Sequence, residues 1–294
     1  MAAIPSPAPS RYEAPTDVAA AVGLLKTEKG AQILAGGTDL LVQMRMGAGV
    51  PPLFVDVKRI PRLMATQLDS SGLTLGAAVP AAEIFENESI KGLWPGLAEA
   101  TDLIGSTQVQ GRATLSGNLC NASPGADSVP ALIACQARVV IAGPKGEREV
   151  AVEEFTTGPG QTVLEQGELV VEFKIPAPAP HASDAYLRLI PRTEMDIAVV
   201  GAGVQLELDA KGVVLAARVV LGAVAPKAIR VEAAESALVG SSLEDAALEA
   251  AAAAASAAAD PIDDKRGTIA YRKKISGVLT KRAARIAYDR ARNR

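Results

Sequence analysis

Aromatic residues make up 3% of this 294-residue chain. Packing must therefore rest on Ala, Val, Leu and Ile, and few rings remain for stacking on nucleic-acid bases. There are two cysteines, Cys120 and Cys135, and no Cys-x-x-Cys. The chain by itself cannot hold a thiolate-ligated iron–sulfur cluster, and it carries no secreted disulfide framework. The single histidine, His181, removes any clustered His/Cys zinc site. A Ser-His-Asp triad would have to use it, but it follows Pro176-Ala177-Pro178-Ala179-Pro180 and reads as a solvated linker residue. No uninterrupted apolar run approaches the roughly 20 residues of a membrane-crossing helix. Met1 to Pro15 is rich in Ala, Pro and Ser without an apolar h-region, so it does not read as a signal peptide. The expected setting is the cytoplasm.

Charge is also scarce. The net formal charge is −3, so the chain as a whole is no polyanion binder and nucleic acid is not an expected partner. The exception is the C-terminus, where Lys265 to Arg294 contains eleven Lys or Arg against one acid, Asp289. This reads either as a docking surface for a partner or as a solvated helix face.

What the chain does have is hydrophobic residues, 49% of the total, ample for a core and for two domains or one large one. Asp17 is positioned to N-cap a helix through Val18, Val22 and Leu25, which Gly30 ends. Ala31–Leu34 reads as a strand running into Ala35-Gly36-Gly37-Thr38-Asp39, after which Leu40, Leu41 and Met44 follow at helical spacing. A strand, a Gly-Gly turn and a helix start together present main-chain N–H groups to an anion. Phe54–Val57 and Leu73–Ala77 read as strands, and Leu93–Leu103 as helical. A second small-residue segment, Gly111 to Asp127, reads as a loop containing Thr114, Ser116-Gly117-Asn118 and Ala122-Ser123-Pro124. Two such loops point to a long dinucleotide held at more than one place. Val129–Ala134 then reads as a helix and Ala137–Ala142, Glu149–Val152 and Leu169–Ile175 as strands. The proline cluster at 176–180 marks a domain boundary. Beyond it come Ala185–Ile190, Ile197–Leu208 and Val213–Leu221, the last two joined by a turn at Asp209–Gly212. From Ala228 onward the pattern is helical, with a nearly all-alanine stretch at Ala246–Ala259. The last helix carries Ile275, Leu279, Ala283 and Ile286 on one stripe.

The two loops resemble those of the FAD-binding medium subunits of the molybdenum hydroxylases, the family of carbon monoxide dehydrogenase and bacterial xanthine dehydrogenase. The likeness covers nearly the whole chain. Ala35–Leu40 is similar to the family's first pyrophosphate loop and Thr114–Asp127 to its second. Arg192-x-x-x-Asp196-Ile197-Ala198 resembles the start of its C-terminal domain, and Arg266-Gly267 with Tyr271-Arg272 a motif before its last helix. The resemblance implies a mixed α/β and α+β protein. Residues 1–180 would form a two-subdomain FAD-binding fold, and residues 181–294 an antiparallel sheet with a small helical bundle. It implies non-covalent FAD here, with the molybdenum cofactor in a large partner subunit and [2Fe-2S] clusters in a small one. Two copies of this three-subunit unit would assemble. The chain would relay electrons from the clusters to an external acceptor.

Residue by residue, the resemblance assigns to FAD Leu34, Ala35, Gly36, Gly37, Thr38, Asp39 and Leu40 in the first segment. In the second it assigns Thr114, Ser116, Gly117, Asn118, Asn121, Ser123 and Asp127. Gly36 and Gly37 would offer N–H groups, Thr38 a hydroxyl, and Asp39 would cap or orient the turn. Asp127 reads as a ribose acceptor or as a helix N-cap. Ile104 and Val170 fall where the family packs apolar side chains beside the cofactor, and plain core burial is the alternative. Arg188 falls where some members carry lysine near the flavin, although a guanidinium is not an ammonium. Ser116 replaces a usual glycine and fits only if its φ is negative; Asn121 stands where some members have threonine. Cys120 reads as a small buried filler. Two other functions stay open: a self-sufficient flavin oxidase of the same fold, and a scaffold subunit without FAD, which Ser116 alone favours.

Overall fold

A computed structural model describes residues 10–294. The Ala-, Pro- and Ser-rich N-terminal segment therefore lies outside the described residues as far as Pro9, and Arg11–Glu13 forms a short strand, β1. Asp17 caps α1 (Val18–Thr27) by accepting from the Ala20 N–H at 2.8 Å. Strands β2 (Gln32–Leu34) and β3 (Leu53–Asp56) run parallel to each other and to β1, in the order β1-β3-β2. Between β2 and β3 lies α2 (Leu40–Gln43), continued by a widened turn over Met44–Ala48.

A hairpin of β4 (Thr66–Asp69) and β5 (Gly72–Gly76) opens the next sheet. Five short helices follow: α3 (Ala81–Phe85), α4 (Glu88–Leu93), α5 (Pro95–Asp102), α6 (Thr107–Gln110) and α7 (Leu115–Cys120). The segment expected as a loop from Gly111 to Asp127 thus contains a helix. Thr114 starts it by accepting the Gly117 N–H at 3.0 Å. Then come α8 (Ser128–Ala134), the hairpin β6 (Arg138–Gly143) and β7 (Gly146–Ala151), the turn α9 (Val152–Phe155), and the small pair β8 (Thr156–Gly158) and β9 (Gln161–Thr162). Strand β10 (Leu169–Pro176) enters between the two hairpins and completes an antiparallel sheet, β4-β5-β10-β6-β7. One hydrophobic core runs under this half, including Trp94, Phe155 and Phe173.

After the proline cluster, β11 (Ala182–Leu189), β12 (Val200–Leu208), β13 (Val214–Gly222) and β14 (Ile229–Arg230) form a four-stranded antiparallel sheet. The helical pattern expected from Ala228 begins only at Glu232, because Ile229–Arg230 first pairs with Leu221 and Val220. Helices α10 (Glu232–Leu238), α11 (Asp245–Ala258) and α12 (Ile269–Arg292) cover one face, with a second core between. Alanine in α11 and Gly277 in α12 permit close helix contact: a Cβ on Gly277 would stand 2.6 Å from the Ala252 carbonyl oxygen. Of the expected stripe on α12, Leu279 and Ala283 are buried, together with Ser276, Gly277, Thr280, Ala284 and Ala287, whereas Ile275 and Ile286 are only half-buried. Tyr271 and Arg272 lie in the first turn of this helix, not before it. Much of the basic tail is tied inward. Arg290 pairs with Glu99, Arg294 donates to the Leu93 carbonyl at 2.9 Å, Arg285 pairs with Asp245 and Lys281 with Glu249.

The two halves meet at a buried carboxyl. Asp184 on β11 is 3% exposed. Its Oδ2 accepts the Leu97 N–H of α5 at 2.9 Å and the Cys135 thiol at 3.2 Å, while Oδ1 has no partner among the described residues. Burial pushes this carboxyl up to about 6, against the opposing effect of those hydrogen bonds. In the folded chain Asp184 keeps its proton to higher pH than in the unfolded chain. Stability is therefore lost as pH rises from the ordinary carboxyl value through 6, and the loss is complete above it. Asp184→Asn retains an acceptor for Leu97 and Cys135 and removes the titration. Urea unfolding should show it more stable than the parent by roughly 1–3 kcal/mol at pH 8, with the gap closing toward pH 4. An equal or lower stability at pH 8 contradicts this reading.

Candidate functional site

Where β2 ends, the chain passes Ala35–Asp39 before entering α2. Gly36 lies so close to the neighbouring backbone that a Cβ there would stand 2.0 Å from the Arg112 carbonyl oxygen, and Gly37 has φ 77°. The carbonyls of Leu34 and Ala35 accept the Lys58 ammonium at 3.4 and 2.9 Å. Lys58 in turn pairs with Asp56 at 2.7 Å. Burial pushes the Asp56 carboxyl up, but Lys58 and the Tyr12 hydroxyl outweigh it and hold the carboxyl below its ordinary value. With these carbonyls turned to the ammonium, the N–H groups of Gly36, Gly37, Thr38 and Asp39 have no acceptor among the described residues. Asp39 stands at the start of α2 but makes no side-chain cap bond.

Facing this turn is the start of α7. The N–H groups of Leu115 and Ser116 lie in its first turn, next to the Thr114 cap. Ser116 has helical backbone with negative φ, so serine is unstrained there; its hydroxyl reaches the Ala77 carbonyl and stands 3.2 Å from Thr114 Oγ1. Asn118 Oδ1 accepts the Ser128 hydroxyl at 2.6 Å. Gln43 of α2 donates to Asn121 Oδ1 at 2.9 Å, joining the two segments.

Between them is a cleft of about 380 Å³. Of the expected site residues, Ala35, Gly36, Gly37, Thr38, Asp39, Leu40, Ile104, Thr114, Ser116, Gly117, Asn118, Asn121 and Val170 line it. Leu34, Ser123, Asp127 and Arg188 do not. Leu34 packs beneath Gly37, and Ser123 accepts the Gly125 N–H at 3.3 Å. Asp127 makes no side-chain cap bond to α8; it accepts the Tyr186 hydroxyl at 2.8 Å and Arg188 at 2.6 Å. Desolvation raises the Asp127 carboxyl despite the Arg188 charge. Arg188 also donates to the Leu103 carbonyl at 2.8 Å, beside the cleft residue Ile104. His181, at φ 55° before β11, is outside the lining.

Sequence reasoning missed one wall of the cleft. Leu164–Glu168 closes it, held to α1 by Gln166, whose amide donates to the Leu25 carbonyl at 2.6 Å. The only local signal is Gly167, with φ 86°. Lys58 gave no signal, because its contact with Ala35 depends on the parallel pairing of Leu34 with Asp56. The C-terminal motifs converge behind the second segment. Asp196 bridges Arg192 at 3.1 Å and Arg266 at 3.0 Å, and these partners hold its carboxyl down to about 2. Arg272 joins Asp264, at 2.7 Å, to the Val199 and Ala223 carbonyls. The neighbouring Ile197 side chain lies against Gly125.

Residues 8–178 match the family described as the FAD-binding domain in molybdopterin dehydrogenase, and residues 185–287 match the CO dehydrogenase flavoprotein C-terminal domain. The carbon monoxide dehydrogenase medium chain of Hydrogenophaga pseudoflava is 35% identical over 95% of this chain and 97% of its own. The chain belongs to the FAD-binding medium-subunit family of carbon monoxide and xanthine dehydrogenases. A putative xanthine dehydrogenase FAD-binding subunit of Escherichia coli is 30% identical, covering 92% of this chain and 93% of its own. Among solved structures, a carbon monoxide dehydrogenase from Hydrogenophaga pseudoflava that lacks the Mo-pyranopterin moiety superposes with TM-score 0.91 at 36% identity, covering 97% of this chain and 99% of its own. Quinoline 2-oxidoreductase from Pseudomonas putida gives 0.89 at 28%, with the same coverage.

Cys120, expected as a buried filler, is half-buried in the lining of this medium subunit's cleft, and desolvation pushes its thiol up to about 12. At pH 8 only roughly one part in ten thousand is thiolate. Iodoacetamide should label Cys120 in the folded chain at least about a hundredfold more slowly than in urea. Equal rates would contradict the raised thiol.

Proposed function

We propose that this chain binds FAD in the cleft between the Gly36–Asp39 turn and the start of α7. We further propose that it serves as the electron-transfer subunit of a multi-subunit molybdenum hydroxylase. The observation that carries the reading is the run of unpartnered N–H groups at Gly36–Asp39, set across a cleft from a second helix start. Both are donor sets for a diphosphate, and the glycine at position 36 is required by backbone approach alone. Bound FAD supplies the electron storage and release. The chain's own residues do the positioning. Lys58 orients the turn and adds positive charge near the phosphates, Ile104 and Val170 provide apolar contact, and the Asp127–Arg188 pair fixes the Leu103–Ile104 segment from behind.

In this reading residues 1–180 are the cofactor unit and residues 181–294 the unit that buttresses it. Ser123, Asp127 and Arg188 then act mainly by holding that second segment in place. The partners are a large molybdenum-cofactor subunit and a small iron–sulfur subunit, assembled as two copies of the three-chain unit in the cytoplasm. An oxidase with histidyl-linked flavin finds no support, since His181 stands outside the cleft. The scaffold alternative loses its one argument with the negative φ of Ser116.

The test is the visible spectrum of the purified chain with acid release of its flavin, repeated for variants. The parent should carry releasable FAD. Gly36→Ala and Lys58→Met should each weaken FAD binding at least about tenfold, or ~1.4 kcal/mol, while Ser116→Gly leaves it unchanged. A parent that remains colourless with added FAD, even alongside its partner subunits, overturns the proposal.

A further inference from the structure

The segment that leaves the first FAD turn is apolar and uncovered. Six of the eleven residues from Leu40 to Val50 are large and apolar: Leu40, Leu41, Val42, Met44, Met46 and Val50. Yet no residue of α2, or of the widened turn Met44–Ala48, is buried. Leu41 and Val42 are 47 and 50% exposed, Val50 is 65% and Met46 is 83% exposed. Gly47 and Gly49 stand free as well, with nothing within 4 Å of where a Cβ would be. Bound FAD does not cover this surface. Leu40 and Gln43 line the cleft, whereas Leu41, Val42, Met44, Met46 and Val50 do not. A helix this short is not stable by itself in water, and a contiguous exposed apolar surface marks contact with another molecule.

The same segment frames the FAD turn. The Leu41 N–H donates to the Gly37 carbonyl at 3.1 Å and the Gln43 N–H to the Asp39 carbonyl at 2.9 Å. The Gln43 side chain reaches Asn121 in the facing segment. Among the described residues, no other exposed apolar stretch belongs to an element that lines the cleft. A molecule seated on α2 therefore stands next to the cofactor, where a chain that delivers electrons to it must stand. Charge narrows the occupant further. Arg45 is exposed and is the one charged residue between Asp39 and Asp56. Asp39 itself lines the cleft. A second copy of this chain, paired through the same patch, would bring another arginine and no acid. The complementary surface is apolar and carries a carboxylate for the Arg45 guanidinium; methionine and arginine are both enriched in such contacts.

Resting on the reading of this chain as an electron-transfer subunit, we propose that residues 41–50 are the docking surface for its iron–sulfur partner. That partner presents an apolar surface with an acid opposite Arg45. Docking fixes α2, and with it the Gly37 and Asp39 carbonyls that α2 binds. Partner and FAD therefore strengthen each other's binding by the same factor.

Hydrogen exchange of the full FAD-loaded chain tests this, measured alone, with the purified iron–sulfur subunit, and with the purified large subunit. Amides of residues 41–50 should exchange at least about tenfold more slowly with the iron–sulfur subunit. The large subunit, or a higher concentration of the chain itself, should leave them unchanged. FAD release should slow at least about fivefold when the iron–sulfur subunit is bound. Val42→Glu, Met46→Glu and Arg45→Glu should each keep the FAD of the free chain, weaken capture of that subunit at least about tenfold, and abolish the slower release. The exchange measurement uses the parent chain, so it decides the matter even if a variant does not fold. An FAD-loaded parent whose residues 41–50 stay unprotected by the iron–sulfur subunit, or are protected instead by the large subunit or by self-association, overturns the docking surface and leaves the FAD site standing. Unchanged FAD release in the complex overturns the coupling. A parent that takes up no FAD even with both partners present overturns the reading on which both rest.

Discussion

Main-chain N–H groups serve a ligand only when the carbonyls around them are turned elsewhere. In this protein the Lys58 ammonium does that turning, by holding the Leu34 and Ala35 carbonyls from the far side of the first turn. Asp56 keeps Lys58 in place, and the parallel pairing of β2 with β3 sets both side chains beneath the turn. Replace this arrangement by a free loop, and the four unpaired N–H groups would find water or carbonyl partners in a different geometry. The glycines supply the room, but the lysine supplies the direction.

The second half of the chain gives the opposite side of the cleft its rigidity. Arg188 reaches from β11 to Asp127 and the Leu103 carbonyl. The Ala223 N–H donates to the Pro124 carbonyl at 2.7 Å. Arg272, buried in the first turn of α12, gathers Val199, Ala223 and Asp264. The long helix is in turn seated by small residues, because Gly277 admits the backbone of α11. A chain with so few aromatics attains close packing by this route, through alanine and glycine contacts between backbones rather than through bulky side chains.

How much of this the sequence revealed depended on the range of the interaction. The strand, Gly-Gly turn and helix start at 32–43 were legible because each step is local: an apolar run, a turn residue, a change of period. Helix α7 was not, since Leu115–Cys120 is short, contains glycine and asparagine, and owes its form to the Thr114 cap and to burial. The last helix was found, and Leu279 and Ala283 of its expected stripe are buried. Ile275 and Ile286 are only half-buried, because the helix also seats itself through small residues such as Gly277, which meets the backbone of α11. Lys58 and Gln166 had no signature at all. Their roles exist only once strands distant in sequence are paired. The assignments that came through family likeness at Asp127 and Arg188 land on a buried ion pair behind the cleft, a relation that no spacing announces.

The central claim is that one FAD diphosphate is held jointly by the Gly36–Asp39 turn and the start of α7. A crystal structure of the chain with FAD bound tests it most directly. The account predicts diphosphate oxygens within hydrogen-bond reach, about 3 Å, of N–H groups in both segments, with Lys58 still on the Leu34 and Ala35 carbonyls. A diphosphate bound away from either segment, or a turn whose N–H groups remain unused with FAD in place, would contradict it.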